Sequence, residues 1–143
     1  MSILERLRQG VSTLSAEETR AVAAELATVL PPDTTLALHG DLGVGKTTFV
    51  QGLARGFGIT APVTSPTYTI YNLLRGKTLL VHLDAYRIDT PAQVESLMLD
   101  DFLKSPFCLA VEWPEKVAYW LSSDAWHLDL GITVDERHTI RLQ

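Results

Sequence analysis

The sequence predicts an α/β domain in which helices flank a mixed central β-sheet. Two observations support this fold class. Amphipathic helical stripes alternate with short apolar runs that are typical of buried strands, and a glycine-rich turn joins one such run directly to a helix. The 143 residues are 46% hydrophobic and 20% charged, which suits one folded domain over residues 1–143. No repeat or linker-like segment divides the sequence.

The first predicted helix begins at Ser15 and runs to about residue 30. Ser15 and Glu18 have the spacing of a capping box, and a Pro-Pro pair at residues 31–32 ends the helix. Its predicted apolar stripe contains Val22, Leu26, Val29 and Leu30. Residues 35–39 form a short apolar run that predicts a buried strand.

A second helix is predicted from about residue 46 to residue 57, with Gly58 as its C-terminal cap. Residues 67–74 and 78–83 are rich in β-formers and flank a turn, so they predict a hairpin. Thr90, Pro91 and Gln93 indicate a helix start, with the helix reaching about Met98. Later elements are a strand at residues 107–111, buried on both faces, and a hairpin formed by Trp126–Ile132 and His138–Leu142.

Composition limits the range of functions. Twelve Lys and Arg against seventeen Asp and Glu give a net charge of −5, which argues against a broad nucleic-acid surface but not against one phosphate pocket. The lone Cys108 excludes an internal disulfide. No apolar run approaches the roughly 18 residues of a membrane span, and the first residues lack a signal-peptide core. We therefore expect a cytoplasmic protein without membrane association.

The glycine-rich turn matches the phosphate-binding pattern G-x-x-x-x-G-K-[ST] completely. Its glycines allow backbone N–H groups to converge on an anion, and the helix that follows adds its positive dipole end. Lys46 can span the β- and γ-phosphates, and the Thr47 hydroxyl can bind Mg²⁺. The pattern therefore predicts a P-loop NTPase-like domain that binds ATP and Mg²⁺. Its residues are Gly40, Asp41, Leu42, Gly43, Val44, Gly45, Lys46 and Thr47.

A P-loop also needs an acidic group at a neighbouring strand end to hold the metal or its water. Glu112 follows the apolar run at residues 107–111, the placement expected of that acid, and Asp84 ends the run at residues 78–83. Either carboxylate could instead be a solvated loop residue or a helix cap. Beside a P-loop, we favour a functional role for both.

Four motifs in this order resemble the TsaE (YjeE) family, the bacterial ATPase component of tRNA threonylcarbamoyladenosine (t6A) biosynthesis. They are residues 40–48, then Ser65-Pro66-Thr67-Tyr68, then His82-x-Asp84-x-Tyr86-Arg87, then Glu112-Trp113-Pro114-Glu115. The likeness extends over nearly the whole chain. The P-loop is shared by many families, so the other three motifs supply the specificity.

The resemblance implies particular roles for residues. Lys46, Asp84 and Glu112 are expected to be catalytic, with Thr47 and Glu112 at Mg²⁺ and Asp84 orienting water or metal. Residues 65–68 and 82–87 would act as switch-like segments, in which His82 makes a structural hydrogen bond. Arg87 could contact the γ-phosphate or pair with an acid that holds its loop, and we favour the second. The expected nucleotide contacts are Asp41, Leu42, Gly43, Val44, Gly45, Lys46, Thr47, Thr48 and Trp113.

The resemblance also implies that the protein acts with the TsaB and TsaD proteins and meets tRNA only indirectly. Three other functions remain open. A small-molecule kinase would need a lid, for which the chain leaves little room, and a GTPase would need an Asn-Lys-x-Asp motif, which the sequence lacks. The third is a nucleotide-gated binding module with little turnover.

Overall fold

The computed structural model describes residues 1–64 and 70–143. Its helices are α1 (Ile3–Gln9), α2 (Ala16–Ala27), α3 (Lys46–Gly56) and α4 (Pro91–Ser96), with short 3₁₀ helices at Leu99–Asp101 and Pro114–Val117. Its strands are β1 (Val11–Thr13), β2 (Thr34–His39), β3 (Tyr71–Arg75), β4 (Leu79–Asp84), β5 (Phe107–Glu112), β6 (Trp126–Ile132) and β7 (His138–Leu142).

All the strands belong to one seven-stranded sheet with the order β1-β7-β6-β2-β5-β4-β3. The inner strands β6, β2, β5 and β4 are parallel, whereas β3 pairs antiparallel with β4, and β7 with both β6 and β1. The mixed sheet confirms the predicted α/β class. Because the inner strands are parallel, their carboxyl ends lie along one edge of the sheet, where ligands bind in such folds.

Alternation along the inner strands divides the core between the two faces of the sheet. In β5, Cys108 and Ala110 pack with the cluster under α1, α2 and α3, while Leu109 and Val111 pack with the cluster under α4. Residues 108–111 of β5 are at most 3% exposed, so the strand is buried on both faces as predicted. Apolar side chains on both faces are the pattern that parallel strands require.

Helix α3, which follows the glycine-rich loop, is fixed by very close packing on α2. A Cβ added at Gly52 would lie 2.3 Å from the Arg20 carbonyl oxygen, and one at Gly56 would lie 2.5 Å from the Ala27 Cβ. At the end of α3, the Gly58 N–H donates to the Arg55 carbonyl and φ of Gly58 is +73°. This left-handed glycine confirms the predicted cap.

Two predicted helix ends were wrong. Helix α2 ends at Ala27, so Val29 lies outside it and is 46% exposed rather than part of the apolar stripe. The physical reason is Pro31, which disfavours helical geometry at the preceding residue and ends the helix early. Helix α4 ends at Ser96, before Met98, whose φ of +53° is incompatible with a right-handed helix.

The predicted hairpins are present. Strands β6 and β7 have the predicted bounds and pair from Leu128↔Leu142 to Ile132↔His138. Strands β3 and β4 also pair antiparallel, although β3 begins at Tyr71 and part of the predicted run lies outside the described residues. Helix α1 and strand β1 were not predicted.

Candidate nucleotide-binding site

The loop at residues 40–47, hereafter the P-loop, joins the carboxyl end of β2 to the start of α3. Gly40, Gly43 and Gly45 have φ angles of +147°, +87° and +97°, and Gly45 is the N-terminal cap residue of α3. Such angles favour glycine strongly. A Cβ at Gly40 would also lie 2.5 Å from the Leu130 carbonyl oxygen. The glycines are therefore required by the path of the backbone as well as by the phosphate-binding pattern.

Lys46, the first residue of α3, places its ammonium group inside this loop. The residue is 5% exposed, and its Nζ atom donates a hydrogen bond of 2.6 Å to the Gly40 carbonyl oxygen. The same Nζ lies 3.6 Å from the centre of the Trp113 ring, a favourable cation–π geometry. Burial lowers the pKa of Lys46, and the nearby carboxylates, led by Glu112, oppose that shift. A buried ammonium at this position is suited to binding a phosphate group.

Two acidic side chains lie at the ends of adjacent parallel strands beside the P-loop. Asp84 of β4 and Glu112 of β5 are register partners. Glu112 is 4% exposed, and its Oε2 atom accepts a 3.2 Å hydrogen bond from the Thr47 hydroxyl. The two residues expected to hold Mg²⁺ are therefore in direct contact. The Nε2 atom of His82 lies 2.5 Å from the same Glu112 oxygen.

The Asp84 carboxylate is half-buried and ordered by the backbone that follows it. Its Oδ1 atom accepts a 3.0 Å hydrogen bond from the Tyr86 N–H. Burial raises the pKa of Asp84; that hydrogen bond opposes the shift, while the negative charge of Glu112 adds to it. Asp84 is thus a carboxylate of increased basicity next to the acid that contacts Thr47.

Trp113 contacts both the Lys46 ammonium group and an exposed aromatic ring. Its φ of +57° is left-handed, and it precedes the 3₁₀ helix Pro114–Val117. The ring of Tyr86 packs against it with a centroid separation of 5.2 Å. The turn after β5 therefore directs the Trp113 indole over Lys46.

Two contacts near the P-loop were not predicted from the sequence. The Nδ1 atom of His138, at the start of β7, lies 3.1 Å from the Val44 carbonyl oxygen. His39 and His127 are hydrogen-bonded at 2.7 Å on adjacent strands, and the pKa of His39 is lowered by burial and by His127. His138 and its contact are distant in sequence, and an isolated histidine in a short strand carries no pattern that identifies this role.

The structure brings together most of the predicted site residues. Lys46 contacts Trp113, Thr47 contacts Glu112, and Asp84 is the register partner of Glu112 on the adjacent strand. The outer turn of the P-loop is exposed, with Leu42 at 85%, while Thr48 lies one residue further into α3. The predicted Ser65-Pro66-Thr67-Tyr68 segment lies outside the described residues.

The arrangement fits Mg-ATP. Glycine at residues 40, 43 and 45 leaves the backbone of the loop uncovered by side chains there, and α3 directs its N-terminus toward the loop. A hydroxyl and a carboxylate form a hard-oxygen donor pair, as Mg²⁺ prefers. Among residues 1–64 and 70–143, no group of three or more His, Cys, Asp or Glu side chains could hold a metal. A magnesium ion bound through a nucleotide needs only one or two protein carboxylates, because phosphates and water supply the rest.

The mixed sheet, the P-loop with its buried lysine and the acid at the neighbouring strand end define a P-loop nucleotide-binding protein. Residues 13–140 match the family model of the threonylcarbamoyl adenosine biosynthesis protein TsaE. The chain therefore belongs to the TsaE family, which confirms the resemblance seen in its sequence motifs.

Individual relatives agree with this membership. A tRNA threonylcarbamoyladenosine biosynthesis protein TsaE of Bacillus subtilis is 36% identical, over 90% of this chain and 80% of that protein. The Synechocystis protein of the same name is 49% identical, over 65% of this chain and 62% of that protein. The crystal structure of Bacillus subtilis YdiB superimposes with a TM-score of 0.79 at 32% identity and covers 93% of this chain and 82% of that one.

In the described part of the chain, no helix is both long enough and apolar enough to span a bilayer.

Proposed function

We propose that the chain is an ATPase, formed by one domain over residues 1–143, that binds and hydrolyses Mg-ATP in support of tRNA t6A formation in the cytoplasm. One observation carries this proposal: the Thr47 hydroxyl of the P-loop contacts the buried Glu112 carboxylate at the next strand end, beside the Lys46 ammonium. P-loop nucleotide hydrolases share a phosphate-binding loop that lies beside an acid able to hold the metal ion. The link to t6A formation is inferred from membership of the TsaE family.

Each residue has a distinct task in this proposal. Lys46 neutralises phosphate charge, and the P-loop backbone N–H groups hold the phosphate chain in place. Thr47 and Glu112 hold Mg²⁺, which when bound neutralises charge on the phosphate oxygens. Asp84 orients the attacking water, for which its raised pKa is favourable, because a more basic carboxylate accepts a hydrogen bond from water more strongly.

The Trp113 indole and the exposed outer turn of the P-loop complete the nucleotide contacts. Trp113 lies beside the Lys46 ammonium and therefore beside the position proposed for the phosphates. Asp41, Leu42 and Gly43 at the outer turn and Thr48 in α3 are the further contacts that we propose.

The proposed partners are the TsaB and TsaD proteins. A net charge of −5 is consistent with contacts to proteins rather than to the phosphate backbone of tRNA. We propose that tRNA meets this chain only indirectly, through the complex, and that hydrolysis serves turnover of that assembly rather than group transfer.

A nucleotide-gated binding module is the second candidate, and one contact favours it. The Lys46 Nζ uses one of its three N–H groups to bind the Gly40 carbonyl, which leaves the other two for phosphate oxygens. A lysine that is already held in place before nucleotide arrives favours binding, and binding alone does not require hydrolysis.

Phosphate release from Mg-ATP tests the proposal. Wild-type protein and a Lys46→Ala variant are compared alone and with TsaB–TsaD. We expect release by the wild type, increased by the partners, and little release by the variant. Nucleotide binding without release in either condition would support the binding module, and transfer of phosphate to an added metabolite would indicate a kinase.

A further inference from the structure

His82 contacts the Glu112 carboxylate from inside the sheet. The residue lies on β4, is fully buried, and its Nε2 atom is 2.5 Å from the Glu112 Oε2 atom. Its neighbours Val81 and Leu83 along β4 are equally buried but aliphatic. A histidine in such a position costs desolvation free energy unless its polar atoms are used. The contact with Glu112 therefore explains why this buried position of β4 holds a histidine and not an aliphatic residue.

The direction of this hydrogen bond follows from the chemistry of the two groups. A carboxylate oxygen only accepts, so Nε2–H of His82 donates to Glu112, as the hydroxyl of Thr47 does. The other ring nitrogen, Nδ1, is buried and has no hydrogen-bond partner among the described residues. Among the described residues, Nε2 is thus the ring nitrogen that has a partner, and it must carry a proton to donate to Glu112.

The two donors meet at one oxygen atom. Thr47 approaches Oε2 of Glu112 from the P-loop side at 3.2 Å, and His82 approaches it from the sheet. A glutamate side chain has three rotatable bonds, and Glu112 is the last residue of β5. Donors on two sides limit the rotation of its carboxylate, so that the group stays beside Thr47.

We propose that His82 is a positioning residue for hydrolysis, which acts by holding the Glu112 carboxylate at the metal side of the P-loop. This inference rests on the proposed Mg-ATP hydrolysis. His82 is fully buried and acts only through Glu112, the residue proposed to hold Mg²⁺. Residues of this kind, one step removed from a metal ligand, typically change metal affinity or activity by 10- to 100-fold when they are replaced.

Three substitutions separate positioning from packing. In His82→Gln the amide nitrogen can occupy the place of Nε2 and donate to Glu112. In His82→Asn the amide nitrogen corresponds to Nδ1 and stops short of the carboxylate. In His82→Leu the volume is filled and no donor remains, as in the aliphatic neighbours of His82.

The measurements are chosen to separate function from folding. For each variant, kcat and KM for ATP are measured together with the Mg²⁺ concentration that gives half-maximal rate. Calorimetry gives the affinity for ATP with EDTA and with Mg²⁺, and thermal unfolding reports the fold.

We expect His82→Gln to keep kcat within about threefold of wild type, and both His82→Asn and His82→Leu to lose about 10- to 100-fold in kcat with a higher Mg²⁺ requirement. ATP affinity in EDTA should be unchanged in all three, because Lys46 and the loop provide it. If His82→Gln is as impaired as His82→Leu, or if His82→Leu is fully active, the positioning role is overturned. A wild type that neither binds nor hydrolyses ATP would overturn the proposed function, and the role of His82 with it.

Discussion

The Nζ atom of Lys46 lies 3.6 Å from the centre of the Trp113 ring and donates to the Gly40 carbonyl oxygen at 2.6 Å. The ammonium group is thus held by a carbonyl of its own loop and by the face of an aromatic ring. Both partners are uncharged, so neither neutralises the ammonium charge, whereas phosphate oxygens would. Because an ammonium group has three N–H donors, Lys46 can bind phosphate oxygens while it keeps the Gly40 carbonyl and Trp113 as neighbours.

The first prediction concerns this ammonium group. Lys46→Ala removes the charge that faces the phosphates, so ATP affinity should fall by about 10- to 100-fold, as expected for a lost hydrogen bond to a charged group. Isothermal titration with Mg-ATP measures the loss. Lys77→Ala is the matched control, because Lys77 is exposed and lies at the opposite end of β4 from Asp84. Equal affinities for the Lys46 and Lys77 variants would contradict the prediction.

The second prediction separates metal-dependent turnover from binding. Glu112→Ala removes the carboxylate that contacts Thr47, so Mg²⁺-dependent phosphate release should fall by more than about 10- to 100-fold, the usual loss when a residue that only supports a metal ligand is replaced. ATP affinity in EDTA should change little. Glu95→Ala is the control, because it removes an exposed carboxylate from α4. If hydrolysis survives the loss of Glu112, Asp84 becomes the better candidate for the metal-binding acid.

The sequence predicted the fold best where its patterns are local and strong. The helix start at Ser15, the left-handed glycine after α3 and the continuous apolar run of β5 each arise from neighbouring residues, and each was found. Of the predicted capping box, the Ser15 hydroxyl accepts from the Glu18 N–H, while the Glu18 carboxylate accepts from the Leu14 N–H instead of the Ser15 N–H. Helix α1 and strand β1 are too short for a periodic signal. They form because β1 pairs with β7 at the other end of the chain.

The same distinction between local sequence patterns and long-range strand pairing applies to the candidate site. Residues of the P-loop could be identified from the sequence because one turn and one helix start require them. Asp84 and Glu112 could be placed at strand ends, but their register pairing and the contact of Glu112 with His82 depend on the order of β4 and β5 in the sheet. The support that His138 gives to Val44 depends on strand pairing in the same way.

The third prediction concerns the pH dependence of stability. Burial raises the pKa of Asp84 in the folded protein, so the folded state binds a proton more tightly than the unfolded chain does. Stability is therefore lost as pH rises through the interval between the ordinary carboxyl pKa and the raised value. Asp84→Asn keeps the Oδ1 acceptor for the Tyr86 N–H but carries no charge. The variant should unfold at a higher temperature than wild type at neutral pH and hydrolyse ATP more slowly.

Calorimetric melting temperatures at several pH values test this prediction. The advantage of Asp84→Asn should shrink as the pH falls through that interval, because wild-type Asp84 becomes neutral as well. Asp89→Asn, at an exposed position in the loop that follows β4, controls for the general loss of a negative charge. A stability difference between wild type and Asp84→Asn that is constant with pH would exclude the titration of Asp84 as its cause.

The fourth prediction compares two glycines of the P-loop with different surroundings. Gly40 and Gly43 both have positive φ angles, so alanine at either position strains the backbone by about 1–3 kcal/mol. Only at Gly40 would the new methyl group collide, at 2.5 Å from the Leu130 carbonyl oxygen; at Gly43 nothing lies within 4 Å. Gly40→Ala should therefore lower the free energy of unfolding by about 1–3 kcal/mol more than Gly43→Ala does, which is the usual cost of overpacking. Urea denaturation of both variants without nucleotide measures the difference, and equal midpoints would show that the contact between β6 and the P-loop does not restrict this loop.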